Sequence, residues 1–356
     1  MKPISFCIIM KNEEAHLEDF LRNIISLRDK CLFDITLVDT GSDDNSINIA
    51  NNLGIQVHRF SWCDDFSAAR NYAASKAIYD WIFVLDCDET PDFSNISSLD
   101  MITDSPESVG TILRYNHFDN CNNKGIFDEY VPRIYNKNKY HYEGIIHEQL
   151  TSNNNGQTFP RVFSNITVNH YGYVQGSESL CSKASRNIKL LEKALIQNPS
   201  DPYIFFQLGQ AAHSLGDEDK ARTYYAEGLS YDVDENLQYV NLMVISYGYS
   251  LINTGHLEDA LQFENIYSYF NKSADFVCLM GIIYLRNNRL DDAISEFKKA
   301  TTISLFYTEG ANSFIPNYNL GCINEVLGNK DIAIKYYEKC GNFEPAANRK
   351  AALRHM

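Results

Sequence analysis

Five apolar residues in a row, Trp81 to Leu85, run without a break into Asp86, Cys87, Asp88 and Glu89. A short, continuous apolar run bounded by polar residues fits a strand covered on both faces, as in a parallel sheet. Ending such a strand in paired carboxylates is costly, because like charges a few ångströms apart repel unless a cation stands between them. A divalent metal is the usual remedy, and one or two carboxylates plus phosphate oxygens is the usual setting for Mg²⁺. The segment therefore predicts a nucleotide-diphosphate site at the carboxyl edge of a parallel sheet.

The preceding residues supply the rest of that sheet. Ile4 to Met10 reads as a buried strand that stops at Lys11-Asn12-Glu13-Glu14, and Leu17, Phe20, Leu21, Ile24 and Ile25 follow at helical spacing. Ile35 to Val38 reads as a second strand, ending in Asp39-Thr40-Gly41-Ser42, with a helix over Ser46–Leu53 and a third strand at Ile55–His58. Ser67 to Ile78 reads as a helix with an apolar stripe of Phe66, Ala69, Ala73 and Ile78. Alternating strands and helices predict a parallel sheet with right-handed crossovers, in which ligands bind beyond the carboxyl ends of the strands. Asn12-Glu13, Asp39 and Asp86–Asp88 all fall at such ends. From Gly110 to about Tyr173, aromatic and β-branched runs (111–115, 130–135, 162–168) between the turns at 120–125 and 153–156 predict further strands, some antiparallel.

Beyond Ser177 the pattern is helical and repeats. Gly209, Gly248, Gly281 and Gly321 are each followed by Gly216, Gly255, Asn288 and Gly328, then Ala221, Ala260, Ala293 and Ala333, then Tyr225, Glu264, Phe297 and Tyr337. Small residues that let paired helices approach, with aromatics filling between units, are the tetratricopeptide pattern. The second unit is the weakest, with Glu264 where an aromatic is expected. Ser182 to Asn198 reads as a lone joining helix. The expected division is 1–176 for the sheet domain and 177–356 for the repeats, with the boundary near Gly176.

Composition narrows the function. A net charge of -15 on 356 residues argues against nucleic-acid or anionic-membrane surfaces. The nine cysteines form no CxxC pair and several lie in apolar runs, so reduced buried thiols are expected. No run of about 18 apolar residues occurs, so no transmembrane segment is expected and the cytoplasm is the expected location.

The motifs I-I-M-K-N-E-E, V-D-T-G-S-D-D, D-D-F-S-A-A-R-N and D-W-I-F-V-L-D-C-D-E resemble those of family 2 glycosyltransferases of the GT-A fold, over roughly the first 175 residues. With repeats behind it, the chain is similar to bacteriocin and peptide S-glycosyltransferases and to lipopolysaccharide-core glucosyltransferases. The resemblance implies an α/β GT-A domain, Rossmann-like with a mixed sheet, followed by an all-α repeat domain. It implies an inverting, metal-dependent transferase moving a hexose, glucose first, from a UDP-sugar to a Cys or Ser side chain of a peptide or protein held by the repeats. A cell-envelope sugar acceptor is the alternative. A non-catalytic nucleotide-sugar sensor on a repeat scaffold is the reading from another class, and retention of every acid the chemistry needs favours the enzyme. Repeats with exposed apolar faces leave a homodimer open.

By the same resemblance Asp86-Cys87-Asp88 is the DXD motif. Asp88 would ligate Mn²⁺ or Mg²⁺, Asp86 and Cys87 would lie against the nucleotide-sugar, and His170 would complete the metal shell. Asp39 would accept from the nucleobase imide N–H, Met10, Asn12 and Glu13 would cup base and ribose, and Arg70 would reach the nucleotide. Each has a plainer reading: a capping cluster for the acids, a turn residue for Asp39 and Asn12, a surface ion pair with Asp64 or Asp65 for Arg70, a packed strand histidine for His170. An inverting transferase needs a base for the acceptor proton. Glu148 in Gly144-Ile145-Ile146-His147-Glu148 is that candidate, with Glu143 and Glu89 as competitors. The family has Glu-Asp more often there, so His147 departs from the pattern; it either orients Glu148 or packs.

Overall fold

The computed structural model describes residues 2–120, 123–154, 159–173 and 177–355. They form two compact units, Met1–Ala194 and Leu195–Met356. The boundary expected near Gly176 lies outside the described residues, as do parts of the turns at 120–125 and 153–156.

The first unit begins β1 (Ile4–Met10), α1 (Leu17–Ile25), β2 (Phe33–Asp39), α2 (Ser46–Asn52), β3 (Val57–Arg59), α3 (Phe66–Lys76) and β4 (Trp81–Val84). It continues through β5 (Glu89–Asp92), α4 (Leu99–Thr103), β6 (Val109–Asn120), β7 (Asn123–Asn136), β8 (Tyr140–Glu143), β9 (Gln149–Ser152), β10 (Arg161–Tyr173) and α5 (Ser177–Gln197) up to Ala194. Eight strands make one mixed sheet in the order β3-β2-β1-β4-β7-β6-β10-β5, and β8 and β9 form a separate hairpin. β1, β2, β3 and β4 are parallel, whereas β7 runs antiparallel to β4 and β6. β10 lies parallel to β6 and antiparallel to β5.

The unbroken apolar strands have the expected cause: both faces of the sheet are covered. Ile4, Phe6 and Ile8 pack on one face with Leu17, Leu21 and Ile24 of α1, while Cys7 and Val84 pack on the other with Ala73 and Ala74 of α3. The alanines let α3 lie close to the sheet. Ile78, expected on the α3 stripe, is exposed because the helix ends at Lys76. Cys7, Cys87, Cys278 and Cys340 are free and buried, while Cys63 and Cys181 are free and exposed.

The second unit is helical: α6 (Pro202–Ser214), α7 (Glu218–Leu229), α8 (Gln238–Asn253), α9 (Leu257–Ala260), α10 (Tyr267–Phe270), α11 (Ala274–Arg286), α12 (Leu290–Ala300), α13 (Phe314–Val326), α14 (Lys330–Glu338) and α15 (Glu344–His355). The repeat glycines sit where the paired helix leaves no room. A β-carbon on Gly209 would come within 2.2 Å of the Tyr225 ring, on Gly281 within 2.7 Å of Phe297, and on Gly321 within 2.4 Å of Tyr337. The turn positions Gly216, Gly255, Asn288 and Gly328 all have left-handed φ, 78°, 81°, 62° and 78°, which glycine adopts freely and asparagine tolerates.

The weak second unit is explained by its second helix. Between α9 and α10, Leu261–Ile266 tightens into a 3₁₀ turn. At three residues per turn the face advances faster than in an α-helix, so Phe263, not Glu264, is buried against Gly248. Glu264 instead takes Arg289 at 2.6 Å. Gly321→Ala is expected to lower stability by about 1–3 kcal/mol, because the Tyr337 ring must move. Urea denaturation followed by helical circular dichroism would measure it, and an unchanged midpoint would mean that the pair closes without cost.

Candidate functional site

β1 and β2 end together, Met10 standing in register with Asp39, and β4 ends at Val84 beside Cys7 of β1, three residues earlier. The loops beyond them are tied together before any ligand arrives. Asn12 has φ 57°; its N–H donates to Ser42 Oγ at 2.9 Å and its side-chain oxygen accepts from Asp43 N–H at 2.9 Å. Glu13 N–H donates to Ser46 Oγ at 2.8 Å. The Asp39 carboxylate accepts from Gly41 and Ser42 N–H at 3.2 and 3.0 Å. Asn12 and Asp39 thus both act as turn residues, and Asp39 also lines a recess of ≈ 300 Å³ with Arg59, Phe60, Ser61 and Trp62. The Met10 and Cys87 side chains are buried in the sheet core, and burial raises the Cys87 thiol well above its ordinary range.

α3 carries Arg70 to the end of β4. Asp65 caps the helix, accepting from Ala68 N–H at 2.9 Å. Three ties then hold α3 to the β8–β9 hairpin. Phe66 N–H donates to the Ile145 carbonyl at 2.8 Å. Asn71 exchanges two hydrogen bonds with the Tyr142 backbone at 2.8 and 2.9 Å, which makes it structural. Arg70 Nε donates to Glu148 Oε1 at 2.5 Å. The loop that presents Glu148 turns on two left-handed residues, Gly144 (φ 102°) and His147 (φ 54°). Burial pushes the His147 ring below its ordinary pKa.

Arg70 also donates from Nη2 to Asp86 Oδ1 at 3.0 Å, and Arg133 of β7 takes the other oxygen, Oδ2, at 2.8 Å. Burial opposes the charge on Asp86, but Arg133 and Arg70 outweigh it and hold the carboxyl well below the usual carboxylate range. Of the acids weighed against Glu148, Glu143 is exposed and pairs with His141 at 3.0 Å. Glu89 is sealed beneath Arg133 at 3.2 Å and Arg114 at 3.6 Å, and accepts from Asp86 N–H at 3.0 Å. Of the three, Glu148 is the one that meets Arg70, which in turn holds Asp86 beyond β4.

Asp88 is placed by β10, whose Tyr171 N–H donates to the Asp88 carbonyl at 3.2 Å. His170 Nε2 lies 3.4 Å from Asp88 Oδ2, and its other nitrogen contacts Asn116 Oδ1 at 2.8 Å. A ring held from behind by an amide in this way is the arrangement that orients metal-binding histidines. Asp88 also borders a cavity of ≈ 660 Å³ lined by His16, by Asp19, Phe20 and Asn23 of α1, and by Thr90 and Tyr171. Burial first, then the charge of Asp88, pushes the Glu13 carboxyl up to about 7. Among the described residues no three His, Cys, Asp or Glu side chains converge into a complete metal site. Asp88 and His170 set a carboxylate beside an imidazole, a pair whose chemistry would suit a cation with its remaining ligands from phosphate and water.

The structure thus brings Arg70, Asp86 and Glu148 into contact, sets Asp88 beside His170, and leaves Asp39 in its own recess. Sequence reading missed Arg133 and Arg114. The one local hint for Arg133 was an arginine within an aromatic and β-branched run; an arginine that is buried there needs acids for partners, but the run does not say which.

Residues 5–159 match the family model described as glycosyl transferase family 2, and residues 190–223, 274–306 and 316–345 match tetratricopeptide repeat models. A TPR repeat-containing protein of Synechococcus elongatus is 28% identical over 237 residues, 64% of this chain and 57% of that protein. The SPbeta prophage-derived glycosyltransferase SunS of Bacillus subtilis is 25% identical over 233 residues, 63% of this chain and 52% of that protein. The chain spans about half the length of these curated relatives. Among solved structures, MamA aligns at 18% identity with a TM-score of 0.38, covering 51% of this chain and 99% of that one. Glucosyl-3-phosphoglycerate synthase from Mycobacterium tuberculosis aligns at 22% identity with a TM-score of 0.27, covering 32% and 44%. Residues 5–159 form a glycosyl transferase family 2 domain, and tetratricopeptide repeats follow it.

Proposed function

We propose that the chain transfers a hexose, glucose first, from a UDP-sugar to a Cys or Ser side chain of a peptide or protein, with inversion and with Mn²⁺ or Mg²⁺. The observation that carries this reading is the joining of Asp86 to Glu148 through Arg70, beside Asp88 and His170, at the carboxyl ends of adjacent parallel strands. The recess at Asp39 receives the base, with Trp62 and Phe60 as its apolar walls. Asp88 and His170 hold the cation, which when bound offsets the charge that builds as the nucleoside diphosphate leaves. Asp86 and Glu13 face the nucleotide, and Met10, Asn12 and Cys87 shape its bed from behind. Glu148 accepts the proton of the attacking acceptor group.

The repeats hold the acceptor. Stacked helix pairs present an extended surface suited to a peptide, and no helix among the described residues is long and apolar enough to cross a membrane. Tyr203, Tyr239, Tyr247 and Tyr267 are half-buried against the repeat cores, so they offer edges rather than whole rings. A homodimer is a further reading of the repeats and is tested by light scattering.

Incubation with UDP-glucose and matched peptides differing only in Cys or Ser is expected to give mass gains of one hexose. If the acceptor is Cys, the rate rises as its thiol ionises near pH 8.5, while a Ser acceptor shows no such limb. A chain that transfers to oligosaccharides and to neither peptide contradicts the acceptor assignment.

A further inference from the structure

Carboxylates and guanidiniums alternate outward from Glu148: Glu148, Arg70, Asp86, Arg133, Glu89. Successive nitrogen–oxygen separations are 2.5, 3.0, 2.8 and 3.2 Å. The links differ in how firmly they are fixed. Glu89 has no exposed side-chain surface and is bound three ways, by Arg133, by Arg114 and by Asp86 N–H. Arg133, itself nine-tenths buried, is aimed by Glu89 and grips Asp86 Oδ2. Arg70 is less tied: Nε meets Glu148, Nη2 meets Asp86, and Nη1 is buried with no hydrogen-bond partner. Its remaining support is the Tyr142 ring, 5.7 Å from the guanidinium carbon.

A planar guanidinium held at two edges points where those edges let it. Asp86 is therefore the anchor that orients Arg70, and Arg70 orients Glu148. Arg133 is the residue that holds the anchor. It sits on β7, on another element from either Arg70 (α3) or Glu148 (the β8–β9 loop), so the main sheet fixes the hairpin loop through a line of charge. The hairpin's other ties to α3, at Ile145 and Tyr142, hold its backbone, whereas the Glu148 side chain is met by Arg70.

We infer that Arg133 is a positioning residue for Glu148, acting through Asp86 and Arg70, an inference that rests on Glu148 being the base. Arg133 touches no reacting atom. Its loss leaves the Asp39 recess and the Asp88–His170 pair in place and lets Glu148 wander.

The test compares Arg133→Gln, Arg133→Lys, Glu148→Gln and the double variant Arg133→Gln/Glu148→Gln in the full chain, with folding checked by thermal melting. For Arg133→Gln, kcat for transfer is expected to fall about 30- to 100-fold, the cost of roughly an ångström of misplacement. UDP binding with Mn²⁺, which loses only what the loosened Asp86 gave it, should weaken far less than kcat falls, and that split separates lost positioning from lost binding. Arg133→Lys keeps the charge and one nitrogen to stand for the Nη2 that meets both acids, and should recover part of kcat. The double variant should be no slower than Glu148→Gln, because Arg133 has nothing left to position. If Arg133→Gln does not fold, Arg133→Lys carries the comparison with the same split. A folded Arg133 variant with unchanged kcat overturns the inference, and so do losses that multiply in the double variant. If Glu148→Gln itself keeps full transfer, the base assignment falls and takes this inference with it. If Glu148→Gln is slow while Arg133→Gln is not, only the inference falls.

Discussion

Glu148→Gln is expected to slow sugar transfer by about 10²–10⁴-fold, the range that a positioned general base contributes, while UDP binds as before. Gln keeps the size and one oxygen of the side chain, so Arg70 still has a partner and the loop keeps its ties through Phe66 and Asn71. What is lost is the ability to take a proton. The same substitution at Glu143, exposed and paired with His141, should leave the rate close to that of the unaltered chain. Product formation at saturating donor measures both. Equal loss at the two positions would point to a disturbed hairpin instead of a lost base. If the acceptor is a thiol, already partly ionised near neutral pH, the loss at Glu148 should lie at the lower end of that range and shrink as pH rises.

The second large effect is at Asp88. Asp88→Asn keeps shape and a neutral oxygen but removes the charge that, with His170, would hold the cation. Transfer is expected to fall about 10²–10³-fold, as when one group that stabilises developing negative charge is removed. UDP-glucose hydrolysis without acceptor should fall with it, because both reactions pass through departure of the same diphosphate. Stripping metal with EDTA should reproduce the loss in the unaltered chain, and Mn²⁺ should restore it. Variant and unaltered chain turning over alike in EDTA and in Mn²⁺ would remove the cation from the account.

Much of this was legible because strands, turns and repeats write short-range signatures. The strand at Trp81 was visible from one unbroken apolar run, and the acids after it from the cost of leaving them unpaired. The repeat register was visible from glycines at three of four equivalent positions, and the structure adds that Asn288 at the fourth shares their left-handed φ. The gaps have equally physical causes. The small β8–β9 hairpin escaped because Tyr140–Glu143 and Gln149–Ser152 are four residues each and mostly polar at their ends. Glu264 read as a broken repeat because a 3₁₀ turn rotates Phe263 into its place, and that shift is set by packing rather than by local pattern. Arg133 was overlooked for the deepest reason. Its partners, Asp86 and Glu89, lie far away in the chain and meet it only because β7 pairs with β4.

The central claim is that the carboxyl ends of β2, β1 and β4 form a metal-assisted nucleoside-diphosphate site. Calorimetric titration of UDP into the full chain, once with Mn²⁺ and once in EDTA, tests it most directly. One UDP per chain is expected with Mn²⁺, and an affinity at least about tenfold weaker without it, a difference of roughly 1.4 kcal/mol. No binding of UDP in either condition, or the same affinity in both, would contradict it.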